Sequence, residues 1–170
     1  EMFDHADRAN KNPPELKAFD RYGQRINFID YHPSYHHLLK TAIENEIPNF
    51  AWKNEGQGSQ VAHMALTYIF NQVEGGVMCP MSMTYSVIPA LKHNKDIEKE
   101  WLPRVLSNIY DERDIPVNLK KGATIGMFMT EKQGGSDVRT NSTKAEPISP
   151  STGNGAKYKL TGHKYFCSAP

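Results

Sequence analysis

Met127-Phe128-Met129-Thr130-Glu131-Lys132-Gln133-Gly134-Gly135-Ser136-Asp137 is the stretch on which the fold reading turns. An apolar run carries it in, a Thr-Glu pair ends the run, and two glycines followed by Ser-Asp open a loop. Glycines let a backbone turn sharply and approach a ligand closely. Successive exposed amides can form an anion-holding concavity, and the hydroxyls of Thr130 and Ser136 can both donate and accept. The loop suits a ring edge rich in carbonyls, or a pyrophosphate. Taken on residue types alone, an ordinary Gly-Gly hairpin is the more economical reading, because such loops are common turns.

On the N-terminal side the pattern is helical. Tyr35, Leu38, Leu39, Ala42, Ile43 and Ile47 recur at three- and four-residue steps, with Ser34 as N-cap and Pro48 as stop. A second helix is predicted over 60–73, ended by Gly75-Gly76, a third over 81–91 with a break at Pro89, and a fourth over 96–106, weakened by Pro103. The opening stretch to Pro33 reads as polar and irregular. After Pro116 the character changes. Ala123 to Met129 predicts a strand, Thr140 to Ile148 a weaker one, and 157–160 and 163–168 two more, joined at Thr161-Gly162. No parallel βαβ alternation appears, so a dinucleotide-binding sheet is not expected. The expected fold class is α+β, with a helical domain over 1–122 and the start of an antiparallel, barrel-like β-domain over 123–170.

The 170 residues can hold one good-sized domain. With 20 Lys plus Arg against 19 Asp plus Glu, the net charge of +1 makes no electrostatic case for a nucleic-acid or membrane-surface partner. The two cysteines, Cys79 and Cys167, lack metal-ligand spacing, and a reduced, cytoplasmic protein is expected. No apolar stretch is long enough to span a bilayer. The start at Glu1, and the stop at Pro170 directly after the apolar run 163–169, suggest a piece of a longer protein. His36, His37 and His63 fall on predicted helices without partner ligands and read as surface or capped residues. Glu131 and Asp137 are expected to shape the loop by bonding backbone amides.

The spacing of Thr130-Glu131, Gly135-Ser136-Asp137 and Gly162-His163-Lys164-Tyr165-Phe166 resembles the middle β-domain of the acyl-CoA dehydrogenase superfamily. The stretch His93 to Leu106, with Trp101-Leu102-Pro103, resembles the helix before that domain. The likeness is greatest to the AidB-like branch, the flavoproteins of the response to DNA alkylation. It is carried by Asp20-Arg21-Tyr22-Gly23, His32-Pro33-Ser34, Cys79-Pro80, Tyr110-Asp111-Glu112-Arg113 and the whole of Met127 to Val138.

The resemblance implies FAD as cofactor. Met127, Phe128, Met129, Thr130, Glu131, Lys132, Gln133, Gly134, Gly135 and Ser136 would line the isoalloxazine, with Thr130 bonding its pyrimidine edge and Ser136 near the phosphates or the substrate mouth. Phe166, Cys167 and Ser168 would form the second flavin-contacting strand. There Phe166 would cover a ring face and Ser168 would reach N5, while Cys167 would point into packing. The implied chemistry is α-proton removal from an acyl-CoA-like thioester with hydride transfer to flavin N5. Its general base lies beyond Pro170, so no residue here is assigned as catalytic. The implied assembly is a homotetramer. Two readings stay open: an FAD-dependent acyl-CoA dehydrogenase-type enzyme, or a flavoprotein acting mainly in DNA binding through its C-terminal part, with weak dehydrogenase activity. A fragment with a structural role alone is a third.

Overall fold

In the computed structural model, residues 1–168 are described; Ala169, which ends the expected apolar run, and Pro170 lie outside the described residues. The chain is α+β and divides into two compact units, Glu1–Ile125 and Gly126–Pro170. The first holds helices α1 (Met2–Lys11), α2 (Pro33–Glu44), α3 (Phe50–Lys53), α4 (Ser59–Val73), α5 (Met78–Leu91) and α6 (Lys95–Val105), with strands β1 (Glu15–Phe19) and β2 (Arg25–Asp30) between α1 and α2. The second holds β3 (Lys144–Pro147) and β4 (Tyr158–Thr161). Each sheet has two antiparallel strands, and no closed barrel forms among the described residues.

The apolar stripes close the first unit. Leu38, Leu39, Ala42 and Ile43 of α2 pack with Ile47, Phe70 of α4, and Val77, Met78 and Met81 around the start of α5. A second cluster joins Ile88 and Leu91 of α5 to Val105 of α6, flanked by Trp52, Trp101 and Ile125. Pro89 does not break α5. A proline leaves the carbonyl four residues earlier without its helical donor, and here the Trp52 indole N–H donates to that carbonyl, Tyr85 O, at 3.0 Å. Asn94 caps α6 by accepting from the amides of Asp96 and Ile97 at 3.1 and 3.3 Å. The acidic first turn and Arg104 in the last suit the helix dipole. The buried Asn49 donates to Val105 O at 3.3 Å and ties α3 to the end of α6.

Several expectations are corrected. The opening stretch is ordered as α1 and a hairpin. In α1 only Ala6 is buried, so its apolar stripe is too thin to read. The hairpin alternates apolar side chains on an exposed surface, Leu16, Phe19, Ile26 and Phe28. Its turn rests on Asp20, whose carboxylate accepts from the amides of Tyr22 and Gln24 at 2.8 and 2.9 Å, and on Gly23 at φ +79°. The cap of α2 is His32, whose Nδ1 accepts from Ser34 N at 3.1 Å; Ser34 lies within the first turn, buried against His5 at 3.2 Å. His63 is buried and stacks on Tyr85 with centroids 4.1 Å apart, so it is no surface residue. His36 is half-buried and meets the Tyr110 hydroxyl at 2.5 Å.

The expected strands at 123–129 and 163–168 do not form as named strands. Strands need continuous ladders, whereas here one backbone bond, Tyr165 N to Thr130 O (2.9 Å), one bridge, Glu131 to Lys164, and the side-chain bond from Lys164 Nζ to Met129 O (3.3 Å) join the second segment to the end of the first. Phe166 at φ +57° then turns the second segment out of extended geometry. No helix among the described residues is long and apolar enough to cross a membrane.

Leu38 is fully enclosed and Leu16 is about two-thirds exposed. Leu38→Ala is therefore expected to cost about 2–5 kcal/mol through lost burial and a residual cavity. Leu16→Ala should cost a small fraction of that. Urea unfolding midpoints of the two variants test the ranking.

Candidate functional site

Glu131 holds the loop together. Its side chain is 1% exposed, and its two oxygens gather donors from three directions. Oε1 accepts from Thr143 Oγ1 at 2.5 Å, Thr143 N at 3.0 Å and Lys164 Nζ at 3.0 Å. Oε2 accepts from Gln133 Nε2 at 2.7 Å, Ser142 N at 2.7 Å and Ser142 Oγ at 2.9 Å. These bonds, the Thr143 hydroxyl first and the Ser142 amide next, hold the carboxyl well below the usual carboxylate range against the opposing effect of burial. Its role is to shape the loop, as the sequence suggests, and Asp137 does likewise by accepting from Arg139 N at 3.2 Å.

Around that anchor the backbone closes a tight turn. Glu131 N donates to Gly134 O at 3.2 Å and Gly134 N to Glu131 O at 3.0 Å. Gln133 also donates to Thr140 O at 3.2 Å, and Asn141 to Met129 O at 2.8 Å. A Cβ on Gly135 would stand 3.1 Å from Thr130 Cγ2, and one on Gly134 would stand 3.2 Å from Thr140 Oγ1, so both positions favour glycine for close approach. At Gly162 a Cβ would collide with Thr143, one of the Glu131 donors.

The result is an open hollow of about 350 Å³. Thr130, Glu131, Lys132, Gln133, Gly134, Gly135, Ser136 and Phe166 line it, together with Tyr165. Tyr165 and Phe166 meet edge to face, centroids 4.8 Å apart, at one wall. Among the described residues, the Gly135 and Ser136 amides and the Thr130 and Ser136 hydroxyls form no hydrogen bond within the chain. They can serve a bound group with both donors and acceptors. Met127, Phe128 and Met129 are about half exposed and do not line the hollow, nor do Cys167 and Ser168. Cys167 is exposed, which corrects the expectation that it packs inward. The left-handed turn at Phe166 upsets the strand alternation on which that expectation rested.

Sequence reasoning missed Tyr165, Lys164, Ser142 and Thr143. A run of hydroxyl residues, Ser142-Thr143, after a buried-acid candidate was the available signal. Among the described residues no cluster of metal-ligating side chains occurs.

A helical unit followed by a small antiparallel unit that displays this loop has the fold of acyl-CoA dehydrogenase-type chains. The apo form of Bd2924 overlays with a TM-score of 0.79 at 32% identity, over 96% of this chain and 31% of that one. Caenorhabditis elegans ACDH-11 in complex with C11-CoA overlays with a TM-score of 0.76 at 24% identity, over 97% of this chain and 27% of that one, a likeness of fold. Residues 1–112 match the family described as the adaptive response protein AidB N-terminal domain. AidB of Escherichia coli (strain K12) is 40% identical over 164 residues, 95% of this chain and 29% of AidB. Acyl-CoA dehydrogenase family member 11 of Caenorhabditis elegans is 28% identical over 165 residues, 95% of this chain and 25% of that protein. The chain belongs to the AidB family, within the acyl-CoA dehydrogenases. It spans less than a third of the length of these relatives.

Glu131→Gln keeps the shape but turns an amide NH₂ toward donors, and the variant is expected to melt several degrees below the parent at neutral pH. The carboxyl's folded-state pKa lies below its ordinary value of 4.5. Its contribution is therefore complete above that pH and diminishes as pH falls below it. The gap in melting temperature between parent and variant should hold steady above about pH 5 and narrow in stronger acid. Thermal melts across a pH series check both statements.

Proposed function

We propose that this chain is the FAD-binding leading part of an acyl-CoA dehydrogenase-type oxidoreductase. The observation that carries the reading is the hollow beside Thr130, where free hydroxyls and amides stand next to an aromatic wall. The residues present fit a flavin. Gly134 and Gly135 allow close backbone approach, the Thr130 hydroxyl and the Gly135 and Ser136 amides match a carbonyl-rich edge, and Phe166 supplies an apolar face.

FAD, when bound, would supply the hydride acceptor at N5; the hard redox chemistry belongs to the cofactor. The chain's own residues bind and orient. Thr130 would hydrogen-bond the pyrimidine edge, Lys132 to Ser136 would hold the polar rim, and Phe166 would cover the ring. Met127 to Met129 and Cys167-Ser168 flank that surface as further contacts. Glu131 is a positioning residue, since its carboxylate is spent on the loop's own donors. The substrate class is an acyl-CoA-like thioester, in keeping with the names of the relatives, and the α-proton base is proposed to lie beyond this chain. By the same resemblance the whole protein is a cytoplasmic homotetramer.

The resemblance to flavoproteins of the response to DNA alkylation, with the family's description as an adaptive response protein, supports a second reading, a flavoprotein that acts mainly on DNA. The net charge of +1 leaves few uncompensated cations in this chain to displace counterions, so DNA contacts would belong to other parts of the protein. High affinity for duplex DNA that falls steeply with salt, alongside negligible turnover of acyl thioesters, would favour that reading.

The parent protein should purify yellow and release FAD on denaturation. Thr130→Val deletes one hydroxyl at nearly constant shape and should weaken FAD retention roughly five- to tenfold. Ser151→Ala, in the loop after β3, should leave retention unchanged. FAD titrations of each apoprotein, with melting temperatures alongside, decide the matter. A colourless parent, or a Thr130→Val protein that holds FAD as tightly as the parent, refutes the assignment.

A further inference from the structure

The helical unit contains a second cavity that the flavin reading does not use. It has a volume of about 200 Å³ and opens between α4 and α5. Ile47, Met64, Met78 and Met81 supply most of its apolar wall, and Tyr85 stands with His63 on one side. His63 and Thr67 both line this space, and among the described residues His63 Nδ1 and Thr67 Oγ1 are buried and make no hydrogen bond. His63 is 6% exposed, so its ring nitrogen has no easy recourse to solvent.

A buried polar atom without a partner is unfavourable by about 1–3 kcal/mol, and two of them on one cavity wall form a consistent demand. His63 and Thr67 lie four residues apart on α4 and therefore on one helix face, their polar atoms one turn apart. Burial lowers the imidazole's affinity for a proton, so the ring is neutral at physiological pH. A neutral imidazole nitrogen and a threonine hydroxyl together can give and accept one hydrogen bond each to a hydroxyl. Neither offers the fixed charge that a carboxylate or an ammonium would need.

The rest of the lining selects for a flat apolar body. His63 and Tyr85 are stacked nearly parallel, 13° apart, and make a planar wall. Met64, Met78 and Met81 line the same cavity, Met78 and Met81 buried and Met64 at its exposed side. Methionine sulfur makes favourable contacts with aromatic rings and adapts its shape to irregular guests. Dry cavities of about 150 Å³ are known to accept one benzene ring. Gln60, Ser82 and Ser86 line it from exposed positions, and the Tyr85 hydroxyl donates to Gln60 Oε1 at 2.7 Å, so the side that these residues form is taken as the mouth.

We propose that the cavity between α4 and α5 is a binding site for a neutral, single-ring aromatic alcohol, whose ring lies among the methionines and whose hydroxyl pairs with His63 and Thr67. The site is separate from the loop at Thr130 and does not rest on the flavin assignment.

Phenol, with toluene as its isostere lacking the hydroxyl, tests the site in the full-length parent protein labelled with ¹³C at methionine methyls. Phenol should shift the Met64, Met78 and Met81 signals in a saturable way and leave Met127 and Met129 in place. Thr67→Val keeps the shape and removes the hydroxyl; it should weaken phenol about tenfold, the equivalent of one hydrogen bond, and leave toluene unchanged. Ser82→Phe adds a ring from an exposed position at the mouth and should abolish both without disturbing the core. Three results would each overturn the proposal: no saturable shift up to the solubility of phenol, equal phenol affinity in the parent and Thr67→Val, or a cavity found to hold only water that phenol does not displace.

Discussion

One carboxylate organises the β half of this chain. Glu131 accepts from two backbone amides, two hydroxyls, an amide side chain and an ammonium, and it does so almost out of contact with water. A buried charge persists only when its oxygens are fully engaged. The partners come from the loop itself, from Ser142-Thr143, which lead into β3, and from Lys164, which follows β4, so this residue draws three separate segments to one point. The loop from Lys132 to Ser136 can then stay open while its ends are held. That division explains why Thr130 and Ser136 keep free hydroxyls although their neighbour Glu131 is saturated.

This arrangement also accounts for how little regular structure the second unit needs. Its two strands are four residues each. Two-stranded sheets of that size are marginal by themselves, and here side-chain bonds from Asn141, Gln133 and Lys164 stand in for missing ladder bonds. The glycines at 134, 135 and 162 lie where a side chain would press on Thr140, Thr130 or Thr143. Close packing of hydroxyl residues against bare backbone gives the site its shape, and the aromatic pair Tyr165–Phe166 gives it an apolar edge.

The helices α2, α4, α5 and α6 are legible because large apolar residues recur in them at helical spacing, fully buried as a stripe in α2 and α5 and anchored at Phe70 in α4 and Val105 in α6. Pro89 was misleading, since its disruptive effect depends on an orphan carbonyl that a distant Trp52 satisfies. The start of the chain was not legible: α1 and the hairpin β1–β2 bury too few apolar residues to print a pattern. The loop was found by its glycines and hydroxyls, which is local chemistry. Its anchoring was not, because the groups on Glu131 come from as far as 33 residues away and nothing at Lys164 or Thr143 announces the pairing. His63 was misread for a similar reason, as burial beside Tyr85 is a tertiary fact.

In the proposed flavin site, the free amides of this loop receive the cofactor. Amide hydrogen exchange of the full-length apoprotein, followed with and without added FAD, addresses it at single residues. The Gly135 and Ser136 amides are expected to exchange markedly more slowly once FAD is bound, while amides of the 149–156 loop keep their rates. Saturating FAD binding that leaves Gly135 and Ser136 exchanging as before would contradict it.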